Sequence, residues 1–223
     1  MKQPVIGVFD SGIGGKTIAD AIQEELPSAT VVYQSDEANL PYGTKSATEV
    51  SRLTEHAVAK LLGKNNDLIV IACNTATTNA IAGLRRKHAL PFVGVEPMVK
   101  PAAGKTKTGT IAVLATPATL RSRSYQNLKA RYARSIKVLE PDCSRWVEMI
   151  EADKVDHAAV KSVVEEVVNR GADVIVLGCT HYHYLKPQIS RLVAGKAIVL
   201  EPTVAIIRRV KSLLGSSNRR SVV

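Results

Sequence analysis

The chain has 223 residues, 45% of them hydrophobic, enough for one large domain or two small ones around a real core. No run of 18 or more apolar residues occurs, which argues against a membrane-spanning helix, and three widely spaced cysteines, an odd number, argue against a disulfide framework and for a reducing cytoplasm. The formal net charge of +10 would suit an anionic partner, but the Lys and Arg residues are scattered and aromatics are only 4%, so stacking platforms for nucleic acid are scarce.

The apolar run at 5–9 is too short for a signal peptide and reads as a first strand. A helix is expected over 16–26, closed by Pro27, and a second strand over 30–34. Pro41-Tyr42-Gly43-Thr44 is a turn signal. Ser46 with Glu49 forms a capping-box pattern for a helix whose Val50, Leu53, Ala57 and Leu61 recur at helical spacing to about Gly63. A strand ending at Cys73, a helix over 77–88 and a strand over 92–95 follow. The Lys/Gly/Thr-rich stretch 100–110 looks like a junction. Beyond it a second series is expected: strand 110–115, a helix opened by Pro117, strand 136–139, helix 157–170, a strand ending at Cys179, strand 197–200 and helix 204–214. The polar stretch 215–220 reads as a disordered tail. The β–α alternation predicts mostly parallel sheets in an α/β fold.

Two stretches look like copies of one design: DLIVIACNT at 67–75 and DVIVLGCTH at 173–181. Each has an acid, a buried-strand run, a small residue, and a cysteine followed by polar side chains. Each cysteine therefore sits at the carboxyl end of a parallel strand, the edge where open α/β sheets bind ligands. A pair of small core thiols is the plainer reading, but Asn74-Thr75 and Thr180-His181 put hydrogen-bonding groups beside both, and a following helix N-terminus favours a thiolate. Two thiols facing across a cleft suit one chemistry: one removes a proton from carbon and the other delivers a proton to the opposite face. That inverts a stereocentre without a cofactor.

The loop DSGIGGKT at 10–17 follows a strand and opens a helix. It misses the phosphate-binding pattern because Asp10 stands where glycine is required, and a carboxylate there repels phosphate. The loop suits a small ligand instead, with Ser11 and backbone amides holding it and Asp10 meeting its amino group or a thiol. Cys179, His181 and His183 alternate and could chelate a metal, although no further ligands lie nearby in sequence. His181 as acid/base helper to Cys179 is the stronger reading. Cys143 is expected to be a structural thiol, His183 structural or exposed, and Glu151 taken alone a surface acid.

The motifs FDSGIGG (9–15), PYGTKS (41–46), IACNTA (71–76), ATPAT (115–119) and GCTHY (178–182), in that order and over nearly the whole chain, resemble the glutamate racemase group of the aspartate/glutamate racemase family. The resemblance implies two similar α/β domains with the active site in the cleft between them, residues 1–97 plus 203–223 and residues 98–202. It implies Cys73 and Cys179 as acid/base thiols assisted by Asp10 and His181, with Glu151 near the second thiol. Ser11, Tyr42, Gly43, Asn74, Thr75 and Thr180 would hold glutamate with Asp10 and His181. No cofactor and no metal are implied, and D-glutamate would serve peptidoglycan synthesis in the cytoplasm. A homodimer is expected; membrane association is not, and nucleic-acid binding is expected to be absent although the basic charge leaves it open. Racemisation of aspartate or a hydantoin is the neighbouring reading, disfavoured by the Asp10-Ser11 loop. The chain departs from the usual pattern at Lys16, His183 and Glu201-Pro202.

Overall fold

The computed structural model describes residues 3–220. The expected α/β alternation is present as two four-stranded parallel sheets. The first is built from β1 (Val5–Phe9), β2 (Thr30–Gln34), β3 (Leu68–Ile71) and β4 (Phe92–Gly94), in the order β2-β1-β3-β4. The second is built from β5 (Thr110–Leu114), β6 (Lys137–Leu139), β7 (Val174–Leu177) and β8 (Ile198–Leu200), in the order β6-β5-β7-β8. The strand order repeats, so β1 corresponds to β5 and β3 to β7. The ends match as well: the Ala72 amide donates to the Phe9 carbonyl and the Gly178 amide to the Leu114 carbonyl, each at 2.7 Å.

The central strands are buried on both faces, which explains their continuous apolar runs. In the first sheet, Ile69 and Ile71 pack under α2 (Ala47–Leu62) and α3 (Asn74–Lys87). Leu68 and Val70 pack under α1 (Lys16–Glu25) and α10 (Thr203–Arg220). In the second, Val174 and Val176 face α4 (Val99–Ala103) and Tyr125 of α6 (Arg123–Tyr132), reached through α5 (Pro117–Arg121). Ile175 and Leu177 face α7 (Trp146–Glu151), α8 (His157–Asn169) and α9 (Lys186–Val193).

The acid that opens each cysteine strand is a clamp rather than a site residue. Asp67 Oδ2 accepts the Val5 amide at 2.8 Å, which ties β3 to the start of β1. Asp173 Oδ2 accepts the Lys107 and Thr108 amides at 2.6 and 3.0 Å, which ties β7 to the turn before β5. These bonds hold the Asp173 carboxyl below the usual carboxylate range despite some burial.

Four expectations need correction. The third long helix begins at Asn74, not residue 77, because Cys73 is itself its N-cap: Sγ accepts the Ala76 amide at 3.4 Å. A 3-10 turn (Thr180–Leu185), not an α-helix, follows Cys179 directly, and α9 starts at Lys186. The stretch 100–110 contains the short helix α4, and 215–220, read as a disordered tail, continues α10 to Arg220. The amphipathic face that docks Ile206 and Val210 against the first sheet nucleates α10 and lets it propagate. Helix α6 was also missed; its apolar anchors are sparse, and the cap is Ser122, whose Oγ accepts the Tyr125 amide at 3.2 Å. Ser46 caps α2 as expected, accepting the Glu49 amide at 3.2 Å.

Helix α10 returns from the second sheet to close the first core. Ile206→Ala should therefore destabilise the chain by about 2–4 kcal/mol, the range for a buried truncation. The check is the urea midpoint at unchanged m-value; a cost near zero would mean that α10 is not part of the core.

Candidate active site

The loop from Asp10 to Gly15 leaves β1 and lies against the second half of the chain. Asp10 is fully buried. Its Oδ2 accepts the Gly15 amide within the loop and the Thr180 hydroxyl at 3.3 Å across the cleft. Its Oδ1 is buried and meets no hydrogen-bond donor in good geometry among the described residues. The Ile13 amide donates to Glu151 Oε1 at 3.0 Å, and Tyr184 donates its hydroxyl to the Ile13 carbonyl at 3.3 Å. Gly14 packs on the turn after Cys179: a Cβ there would fall 2.8 Å from His181 Nδ1, so only glycine permits the approach.

Around this loop the two thiols have different surroundings. Cys73 is 5% exposed and shares a 3.3 Å hydrogen bond with the Ser11 hydroxyl. Burial, reinforced by the Asp10 charge, pushes its thiol well above the ordinary range; the Ser11 and Ala76 hydrogen bonds oppose this, and a charge on Cys179 adds to it. Burial also raises Asp10 above the usual carboxylate range, against the opposing pull of His181 and of its own hydrogen bonds. Cys179 is 6% exposed and lies 3.8 Å from His181 Nδ1, while His181 Nε2 donates to Glu151 Oε1 at 2.5 Å. Burial would lower His181, but Cys179, Glu151 and Asp10 outweigh it and push the imidazole up to about 10. The same bond to His181 holds Glu151 below its usual range against partial desolvation. The Cys179 side is therefore an imidazolium–carboxylate pair beside a sulfur.

The other expected residues line the seam between the halves or approach it. Thr75 shares hydrogen bonds with Thr116 and Thr119 at 2.8 and 3.2 Å, a buried hydroxyl cluster joining α3 to α5. Asn74 donates to the Val95 carbonyl at 3.2 Å and leaves its Oδ1 buried and unpartnered. Gly43 sits so close to Thr116 that a Cβ would fall 2.7 Å from its side chain. The Tyr42 ring packs near Phe9, and its hydroxyl is committed to Asp36 Oδ2 at 2.6 Å. His183 turns away from the thiols to Thr17, 3.4 Å from its Oγ1, and burial lowers it to about 4. Cys179, His181 and His183 thus do not converge, and among the described residues no group of three or more His, Cys, Asp or Glu is placed to hold a metal. Cys143 is buried in the second core, consistent with a structural thiol. Lys16 pairs on the surface with Asp20, and Glu201 accepts from Lys186 and the Thr203 amide.

Sequence reasoning passed over Asp36, Thr116 and Thr119 as site residues. The repeat itself carried a signal for the threonines: β5 corresponds to β1, so Thr116 stands where the first half has Ser11.

Each of the two α/β halves thus carries a strand-end thiol, Cys73 beside the Ser11 hydroxyl and Cys179 beside the His181 imidazole. A sequence profile described as Asp/Glu/Hydantoin racemase matches residues 16–210. The glutamate racemase of Roseiflexus sp. (strain RS-1) is 40% identical over 214 residues, covering 94% of this chain and 79% of that protein. The crystal structure of Escherichia coli glutamate racemase, in complex with L-glutamate and the activator UDP-MurNAc-ala, has a TM-score of 0.86 at 33% identity, over 96% of this chain and 83% of that one. The Francisella tularensis glutamate racemase in complex with D-glutamate has a TM-score of 0.81 at 30% identity, over 97% of this chain and 82% of that one. The chain belongs to the Asp/Glu/hydantoin racemase family.

The His181–Glu151 pair has a pH signature. His181 is pushed up to about 10 against its burial, by Cys179 first and then by Glu151 and Asp10, above the ordinary value of about 6.5, so these contacts together contribute stability that is complete below about pH 6.5 and is lost as pH rises through about 10. Glu151→Gln should bring the imidazole down toward its ordinary value, read from its proton NMR titration. A titration unmoved by the substitution would show that Glu151 does not hold the proton on His181.

Proposed function

We propose that the chain interconverts L- and D-glutamate without a cofactor, Cys73 and Cys179 exchanging protons with opposite faces of the α-carbon. The observation that carries the reading is the matched placement of the two thiols at the carboxyl ends of β3 and β7, with separate acid/base groups beside each. The glutamate racemases named above support the substrate.

In one direction a thiolate at Cys179 takes the α-proton while the Cys73 thiol delivers its proton to the other face; in reverse the roles exchange. His181, charged and 3.8 Å from Cys179 Sγ, balances the thiolate, and Glu151 orients the ring from Nε2. Asp10 does the corresponding work at Cys73 by accepting the thiol proton when Cys73 must act as base. The Oδ1 atoms of Asp10 and Asn74 are buried acceptors suited to the substrate ammonium group. Ser11, Thr75 and Thr180 hydroxyls and the Tyr42–Gly43 backbone are the proposed donors to its carboxylates. Residues 1–97 plus 203–223 form one working unit and 98–202 the other; α10 packing on the first sheet and Met98–Ala102 on the second support the division. Residues 1–2 and 221–223 lie outside the described residues. A cytoplasmic homodimer supplying D-glutamate for peptidoglycan, with no nucleic-acid or membrane role, completes the proposal. Among the described residues no helix is long and apolar enough to cross a membrane.

A circular-dichroism assay of L- and D-glutamate with no added cofactor tests the activity, with L-aspartate and a hydantoin as competing substrates. Cys73→Ala and Cys179→Ala should each lower racemisation by about 10²–10⁴-fold or more, the usual worth of a positioned acid or base. In deuterated water Asp10→Asn should slow exchange of the enantiomer deprotonated by Cys73, and His181→Asn exchange of the other. Identical effects of both substitutions on both enantiomers would break the pairing while leaving the two thiols standing.

A further inference from the structure

The seam between the halves carries a charged pocket that the thiol chemistry leaves unused. It has a volume of about 320 Å³, and its lining includes Lys45, Asn79, Arg121, Ser122 and Arg123, with no acid among the lining residues. Lys45 lies 3.4 Å from Glu49, whereas Arg121 and Arg123 are exposed and have no acidic partner among the described residues. The larger pocket of about 960 Å³ beside Glu151 is mixed in sign: Glu151 and Asp153 line it with Lys154, His157 and Arg191.

The walls of the cationic pocket are the backs of the loops assigned to glutamate. The Lys45 amide donates to the Tyr42 carbonyl at 3.2 Å, Asn79 Nδ2 to the Thr75 carbonyl at 2.8 Å, and Ser122 Oγ to the Thr119 carbonyl at 2.7 Å. Behind them stand the Thr75, Thr116 and Thr119 hydroxyls: Thr75 reaches the other two across the seam, Thr116 and Thr119 bond to each other at the start of α5, and Thr116 Oγ1 also accepts the Thr119 amide at 3.3 Å. Such neutral contacts are worth about 1 kcal/mol each and exchange readily for water or for carboxylate oxygens.

We propose that this pocket is the vestibule that collects the dicarboxylate substrate and feeds it through the Thr75–Thr116–Thr119 seam to the thiols; the proposal rests on the glutamate reading above. Glutamate at neutral pH has two carboxylates and one ammonium, a net single negative charge. Arg121 and Arg123, beside the Glu49-paired Lys45, raise its local concentration at this face, and the mixed-sign pocket does not. The residues act on substrate arrival and take no part in proton transfer.

The test is steady-state racemisation of both enantiomers by the wild-type chain and by Arg121→Gln/Arg123→Gln, at about 10 mM and about 1 M salt, where screening lengths are about 30 and 3 Å. The double variant should raise KM by about three- to tenfold at low salt, leave kcat unchanged, and match the wild type at high salt. Arg121→Lys/Arg123→Lys should restore the wild-type KM, because charge rather than shape is the requirement. Lys154→Gln/Arg191→Gln, in the other pocket, should leave KM unchanged. Wild-type turnover with KM and salt response unaltered in the arginine variant would overturn the vestibule alone. A wild-type chain that does not racemise glutamate would overturn the functional reading and the vestibule with it.

Discussion

The loop after β1 is the constraint on which the site depends. Asp10, Ile13 and Gly14 come from the first half, yet each is held by the second: Asp10 by the Thr180 hydroxyl, Ile13 by Glu151 and Tyr184, and Gly14 by its contact with His181. Tyr33 closes the loop from behind by donating its hydroxyl to the Gly12 carbonyl at 2.5 Å. Any movement of this loop moves Ser11 and Asp10 relative to Cys73, and Glu151 relative to His181. One small-residue turn thereby sets the registry of two thiols carried on separate sheets, and its glycines are what allow the backbones to come together.

The repeat supplies the symmetry and the loops break it. The sheets share one strand order, and both cysteines follow equivalent strands. Chemistry that must run in both directions at one carbon needs that near-symmetry. It also needs two groups that hold their protons differently at rest. Burial raises both the Cys73 thiol and Asp10, whereas Cys179, with Glu151 and Asp10, raises His181 against its burial. Cys73 caps a 14-residue α-helix and Cys179 precedes a 3-10 turn, so even the local backbone differs at the two thiols.

The seam distributes polar groups in the same divided way. On the Glu151 side it is crossed by the charge-assisted hydrogen bond from the Ile13 amide to the Glu151 carboxylate, which is strong and directional. On the Thr75 side it is crossed by the neutral hydroxyl bonds of Thr75 to Thr116 and Thr119, which are weaker.

The parallel sheets, the core and the strand-end placement of the two thiols were legible in the sequence, because buried strands write continuous apolar runs and strand-end residues stand out against them. The closeness of Ser11 to Cys73 and of His181 to Cys179 follows the same pattern, each residue adjoining a strand end or a cysteine. Helix starts were less so: Cys73 is an unusual N-cap, and α10 owes its length to docking on a core assembled from the far end of the chain. The roles of Asp67 and Asp173 as clamps, of Glu151 as the partner of His181 and of Thr116 and Thr119 as the bridge to Thr75 were decided by the tertiary structure alone. Each depends on a contact between residues 30 or more positions apart, and local periodicity carries no record of which distant groups the packed halves will bring within a hydrogen bond.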